Sequence, residues 1–122
     1  MTMQNINTLI SKLISKLLVI FNQKNQIQKI ILYGSEARGT ATQESDIDIA
    51  VIINHYTEEM HHQMIDAVVD LELEYNKVIS VLLIDNAQFK AWESSSPFFK
   101  NIKKDGIILW NAQNGAVTKC GF

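Results

Sequence analysis

The chain has 122 residues, a formal net charge of −2 and a hydrophobic fraction of 47%. This length fits one domain, and the composition allows a sizeable core and excludes a disordered chain. The slightly negative charge argues against a broad basic surface that would hold a long nucleic acid.

Cysteine usage and hydropathy bear on the compartment. The single cysteine, Cys120, excludes an intramolecular disulfide and favours a reducing environment. Apolar runs are all much shorter than the roughly 20 residues of a membrane-spanning helix, and the N-terminus does not resemble a cleavable signal peptide. We therefore expect a cytoplasmic protein that makes no membrane contact.

The first half of the chain predicts helices and strands in alternation. Apolar residues at helical spacing predict an amphipathic helix over residues 5–23. We expect its apolar face to cover a sheet; the alternative is a face that binds a partner. Segments rich in β-branched residues predict strands at Ile27–Tyr33 and Asp46–Ile53. The polar segment between these strands predicts a short helix that begins near Ser35 and ends at Gly39.

The second half continues this alternation. Thr57 is the predicted N-cap of a helix that runs to about Asn76, and residues 77–84, "KVISVLLI", predict a third strand. Because that strand is apolar almost throughout, we expect it in the centre of the sheet. A short helix, a helix capped by Ser96 and a last strand at Ile107–Trp110 complete the order α-β-α-β-α-β-α-α-β.

This order predicts an α/β (α+β) fold with a mixed sheet of three or four strands and helices packed on it. We expect one domain over residues 1–113. Residues 114–122 show no periodicity and are expected to form a flexible C-terminal tail.

Two acids stand out in the second strand. Side chains alternate along a strand, so Asp46 and Asp48 are expected on one side, with α-carbons about 6.5–7 Å apart. Two carboxylates this close repel each other, and a divalent cation between them makes the arrangement favourable. Hard oxygen donors with few protein ligands suit Mg²⁺, which takes its remaining ligands from water and phosphate.

A candidate phosphate site follows the first strand. Gly34 allows a sharp turn and the close approach of a ligand. Ser35 offers a hydroxyl and an N–H at a helix start, where anions are favoured, and Arg38 can donate paired hydrogen bonds to phosphate. Each feature also has a plain structural explanation, since Gly-Ser turns are common and an aspartate often caps a strand. Together they favour a site for a nucleotide.

The spacing of these residues resembles the signature of a known superfamily. Gly-Ser, ten intervening residues and then Asp-Ile-Asp is similar to the motif of the nucleotidyltransferases that include DNA polymerase beta. The string "GSEARGTATQESDIDIAV" is most similar to the minimal nucleotidyltransferases, small proteins often encoded beside a HEPN-domain partner. The resemblance implies a nucleotidyltransferase-like mixed sheet and covers most of the chain.

The resemblance also implies roles. Asp46 and Asp48 would coordinate one or two Mg²⁺ ions, while Gly34, Ser35 and Arg38 would hold the phosphates of a nucleoside triphosphate, expected to be ATP. An acceptor hydroxyl, which can be a tyrosine of a HEPN toxin, would attack the α-phosphate. The protein would then be an antitoxin that silences its partner by nucleotidylation.

The chain departs from the family pattern in one respect. Superfamily members usually carry a third carboxylate on the next strand, and "KVISVLLI" has none at the expected position around residues 78–80. Glu74 and Asp85 flank this strand and are the candidates to replace it. Three hypotheses stay open: a Mg²⁺-dependent enzyme that modifies a partner, a weakly catalytic module that neutralises a partner by contact, and an oligomeric enzyme that binds a small acceptor between subunits.

Overall fold

A computed structural model describes residues 3–21, 26–42, 44–112 and 115–116. The helices are α1 (Met3–Ile20), α2 (Gly34–Arg38), α3 (Glu58–Tyr75), α4 (Asn86–Trp92) and α5 (Pro97–Asp105). The strands are β1 (Ile27–Tyr33), β2 (Ile47–Ile53), β3 (Ile79–Asp85), β4 (Ile107–Asn111) and β5 (Gly115–Ala116). The predicted order of elements is confirmed, and the two-residue β5 is an addition to it.

The strands form one mixed sheet in the order β3-β2-β1-β4-β5. β1 is antiparallel to both β2 and β4, whereas β2 and β3 are parallel. The predicted mixed sheet is confirmed, but the prediction of a central third strand was wrong, because β3 lies at an edge. Its apolar run does not reflect burial on both faces, since Leu82 stays 38% exposed.

The core lies on both faces of the sheet. Alternate residues of β2, from Ile47 to Ile53, pack against α1 and α3. Ala50 and Ile52 point to the opposite face and pack with Phe89 of α4 and Ile102 of α5. The stripe of α1 is confirmed as a core face, because its leucines 9, 13 and 17 are at most 1% exposed. The sheet is therefore enclosed between two pairs of helices.

The ends of the helices follow the predicted local signals. The hydroxyl of Thr57 accepts a hydrogen bond from the N–H of Met60 at 3.2 Å, and that of Ser96 accepts one from Phe99 at 3.4 Å. Both side chains therefore satisfy first-turn amides, as an N-cap should.

The described ranges contain no helix with the length and apolar character needed to cross a membrane. Of the predicted tail at 114–122, the pair 115–116 forms β5 against β4. The other residues of that segment, Cys120 among them, lie outside the described residues.

Candidate active site

The connection between β1 and β2 brings the predicted site residues together. In the antiparallel pairing, the last residue of β1, Tyr33, lies across from Asp48. Gly34 and Ser35 follow immediately as the first residues of α2, and Arg38 is its last. The structure thus places Asp48 at the same corner of the sheet as the Gly-Ser turn and the arginine.

Gly34 is in direct contact with the acid. Its φ of 72° lies in the left-handed region, a backbone conformation that residues with a Cβ rarely adopt. A Cβ at this position would collide with Oδ2 of Asp48 and lie 3.1 Å from its Cγ. The backbone turn and the carboxylate are therefore packed against each other, and only glycine leaves room for both.

The two acids and the arginine lie close enough to interact electrostatically. Burial raises the pKa of Asp48 above its usual value, and the Asp46 carboxylate raises it further. The Arg38 guanidinium acts in the opposite direction. Asp48 is half-buried, while Asp46 and Arg38 are exposed. A cation shared by the two carboxylates would remove the repulsion between them, so this donor set fits a hard divalent ion.

Tyr33 was not among the predicted site residues. Burial raises the pKa of its phenol, and the nearby Asp48 carboxylate raises it further. Its ring packs edge-on against Phe98 of α5, with centroids 5.8 Å apart. Among the described residues, its side chain makes no capping hydrogen bond to α2, which it precedes. Its place directly before the Gly-Ser turn is the signal that could have identified it.

The candidates for a third carboxylate lie elsewhere. Glu74 forms an ion pair with Lys12 of α1 at 2.7 Å. Asp85 pairs with Ile53, at the far end of β2 from Asp48, and its Oδ2 accepts a hydrogen bond from the N–H of Ala87 at 3.1 Å. Asp85 is therefore remote from Asp48, and Glu74 is already paired with a lysine.

The residue beside Asp48 on β3 is Ser80. Glu72 is a further acid near the beginning of β3 that the sequence did not single out. Its carboxylate accepts a hydrogen bond from the N–H of Ile79 at 2.9 Å. Within the part of the chain that the structure describes, no three His, Cys, Asp or Glu side chains form a group that could hold a metal ion. The site is therefore a pair of acids flanked by a serine.

Comparison with known proteins agrees with this geometry. Residues 15–114 match the family model described as polymerase beta, nucleotidyltransferase. The chain belongs to this family and is a nucleotidyltransferase. A protein of Methanocaldococcus jannaschii, provisionally named a protein adenylyltransferase, is 34% identical over 87 residues, which cover 71% of this chain and 82% of that protein.

Solved structures agree in fold. A provisionally named nucleotidyltransferase from Sulfolobus solfataricus has a TM-score of 0.53 and 20% identity, and the match covers 96% of each chain. A chain of a toxin–antitoxin structure with AMP-PNP has a TM-score of 0.52 and 27% identity, over 83% of this chain and 73% of that one. The first likeness shows the fold alone, and the second adds a toxin–antitoxin relative.

Proposed function

We propose that this protein transfers AMP from Mg²⁺-bound ATP to a hydroxyl group of a HEPN-type toxin partner, and that it acts in this way as an antitoxin. The observation that carries the proposal is the single corner that joins Asp46, Asp48, the Gly34 turn and Arg38. The Methanocaldococcus jannaschii relative named as an adenylyltransferase and the toxin–antitoxin relative with AMP-PNP support the choice of donor and partner.

Each residue has a definite part in this proposal. Asp46 and Asp48 would hold the metal, and the bound Mg²⁺ would neutralise charge on the triphosphate. Gly34 and Ser35 present first-turn amides of α2, which can donate hydrogen bonds to phosphate oxygens. Arg38 adds a cationic donor beside the acids. The contact between Gly34 and Asp48 fixes the distance between the phosphate turn and the metal ligand.

The reaction is a displacement at the α-phosphorus. The acceptor oxygen forms a bond to this phosphorus, the bond from phosphorus to the bridging β-phosphate oxygen breaks, and pyrophosphate leaves. The acceptor releases its proton in the same process. The residue beside Asp48 on β3 is Ser80. Its hydroxyl is a poor base and would accept this proton inefficiently.

Ser80 also favours a second candidate function. A site with two carboxylates can bind metal and nucleotide while it catalyses transfer slowly. The protein would then neutralise its partner by contact, and nucleotide would stabilise the complex without being consumed.

Calorimetry with ATP, GTP, CTP and UTP, each with and without Mg²⁺, tests the donor site. The variant that combines Asp46→Ala and Asp48→Ala should lose metal-dependent binding of ATP. Asp66→Ala, which removes an exposed acid on α3, should retain it. Binding of ATP that is equally strong in EDTA, or that survives in the double variant, would contradict the proposed site.

Labelling separates the two functions. The purified protein is incubated with its HEPN-type partner and ATP labelled at the α-phosphate. Transfer of label to the partner, abolished by Asp46→Ala, supports the enzyme. Protection of cells by the same Asp46→Ala variant supports neutralisation by contact.

A further inference from the structure

The outer edge of β3 has no strand beside it in the described part of the chain. At the opposite end of the sheet, β4 is paired with β5. The N–H of Ile47 bonds the carbonyl of Val78, so the backbone groups of residues 78, 80, 82 and 84 face β2. Those of Ile79, Val81 and Leu83 consequently point outwards. An uncovered edge with apolar side chains is a ready surface for pairing with another strand.

One outward-pointing group already has a partner. The N–H of Ile79 donates to the carboxylate of Glu72, which closes the beginning of this edge to a further strand. Val81 and Leu83, in the middle of β3, lie instead along a groove of about 330 Å³ whose walls include His61 and Gln88. The central part of the edge is therefore the part that is open for pairing.

Exposed apolar side chains flank this edge on both faces of the sheet. On one face, Val78 is 57% exposed and Leu82 is 38% exposed. On the other face runs α3, where Ile65 is 40% exposed. Ile65 lies one helical turn after His61, which lines the groove beside β3, and about two turns before Glu72, which bonds the N–H of Ile79. The three residues therefore share one stripe of α3.

The sequence of β3 is complementary to itself in an antiparallel register centred on Leu82. Val81 would then pair with Leu83 of a second copy, Ser80 with Ile84, and Leu82 with its own equivalent. These three pairs join apolar or small side chains and place no like charges opposite each other. The next pair, Ile79 with Asp85, would bring the Asp85 carboxylate towards Glu72, so the pairing ends at Ser80 and Ile84. Val81 and Leu83 of each copy would exchange four hydrogen bonds, none of which uses the N–H held by Glu72.

Polar side chains at the two ends of the α3 stripe form a complementary pair in this register. Glu72 lies beside the beginning of β3, and His61 lies beside its second half. A twofold axis at Leu82 reverses the strand, so it brings Glu72 of each copy towards His61 of the other. A carboxylate and an imidazole are complementary donors and acceptors, and this pair occurs twice in a symmetric interface.

We propose that two copies of this chain pair antiparallel through β3 and form one continuous sheet with a twofold axis at Leu82. The inference rests on β3 and α3 and does not depend on the proposed function. Since Ser80 lies beside Asp48, Ile84 of the second copy would border the active site of the first.

A disulfide trap in the full chain tests the register. Cys120 is first replaced by Ser, and Leu82→Cys is added to that background. Directly opposed residues in a non-hydrogen-bonded pair have α-carbons about 4.5 Å apart, within the range of about 4.4–6.8 Å for disulfides. Mild oxidation should give a product of twice 13.9 kDa. Val19→Cys, at an α1 side chain 73% exposed, is the control for random collision. Equal cross-linking of both variants would overturn the proposal.

Sedimentation equilibrium provides an independent measurement. The wild-type chain should dimerise, and Leu82→Lys should weaken dimerisation at least about tenfold, because two like charges would meet at the axis. Val19→Lys should leave dimerisation unchanged. A wild-type chain that stays monomeric across the concentration series would refute the pairing. Should Leu82→Lys fail to fold, the disulfide trap still decides the question.

Discussion

Replacement of Gly34 by alanine should separate the stability of the fold from the integrity of the site. The backbone at Gly34 has a φ of 72°, and a side chain there costs about 1–2 kcal/mol. The new methyl group would also collide with Oδ2 of Asp48. The collision is relieved most easily when the carboxylate rotates away, because Asp48 is only half-buried.

The chain contains a matched control at Gly39. Its φ of 76° imposes nearly the same backbone penalty, but in the described part of the chain a Cβ there meets no heavy atom within 4 Å. Both alanine variants should therefore lose about 1–2 kcal/mol of unfolding free energy in urea. Only Gly34→Ala should also lose affinity for Mg²⁺ and ATP, on the order of 10- to 100-fold, because the displaced Asp48 carboxylate no longer holds the metal in place.

Urea denaturation and calorimetric titration measure the two effects separately. The reasoning is refuted if Gly34→Ala binds Mg²⁺ and ATP as tightly as Gly39→Ala does. It also fails if Gly39→Ala loses nucleotide affinity to the same extent, because backbone strain in α2 would then explain both losses.

Three further predictions concern Asp48, Ser80 and Thr57. Burial and Asp46 raise the pKa of Asp48, so the folded chain holds that proton more tightly than the unfolded chain. The contribution of Asp48 to the free energy of unfolding should therefore fall as pH rises from 3.8, the ordinary value, through the raised folded pKa, and Asp48→Asn should remove this contribution. Identical thermal denaturation profiles for both proteins would contradict this. Ser80→Asp adds a third carboxylate beside Asp48 and should tighten Mn²⁺ binding about tenfold in a spectroscopic titration, whereas Ser80→Asn should not. Thr57→Ala removes the cap of α3 and should cost about 1 kcal/mol in chemical denaturation with no change in ATP affinity; a large loss of affinity would show that α3 supports the site.

Much of the fold was predictable because its signals are local. Thr57 and Ser96 cap the helices at which they were expected, since a cap depends only on the next three residues. The corner formed by Gly34 and Asp48 was predictable for a similar reason. A short connection between antiparallel strands must bring the end of the first to the beginning of the second.

The remaining features depend on contacts between distant elements. The apolar run in β3 is compatible with a central or an edge position, and only the strand order decides between them. The partners of Glu72 and Glu74 depend on how α3 packs against α1 and β3. Glu74 forms an ion pair with Lys12 of α1, and Glu72 accepts a hydrogen bond from the N–H of Ile79. A single sequence does not show which residues of two distant elements will lie side by side, so neither contact could be predicted.

The contact between Gly34 and Asp48 implies thermodynamic linkage between the two proposed ligands, ATP and Mg²⁺. In the proposed function Gly34 belongs to the phosphate-binding turn and Asp48 holds the metal, and a movement of either is expected to displace the other, because the backbone of Gly34 lies close against the Asp48 carboxylate. Whichever ligand arrives first restricts the arrangement that the second must adopt. A coupling free energy of this kind is reciprocal, so Mg²⁺ should raise the affinity for ATP by the same factor as ATP raises the affinity for Mg²⁺.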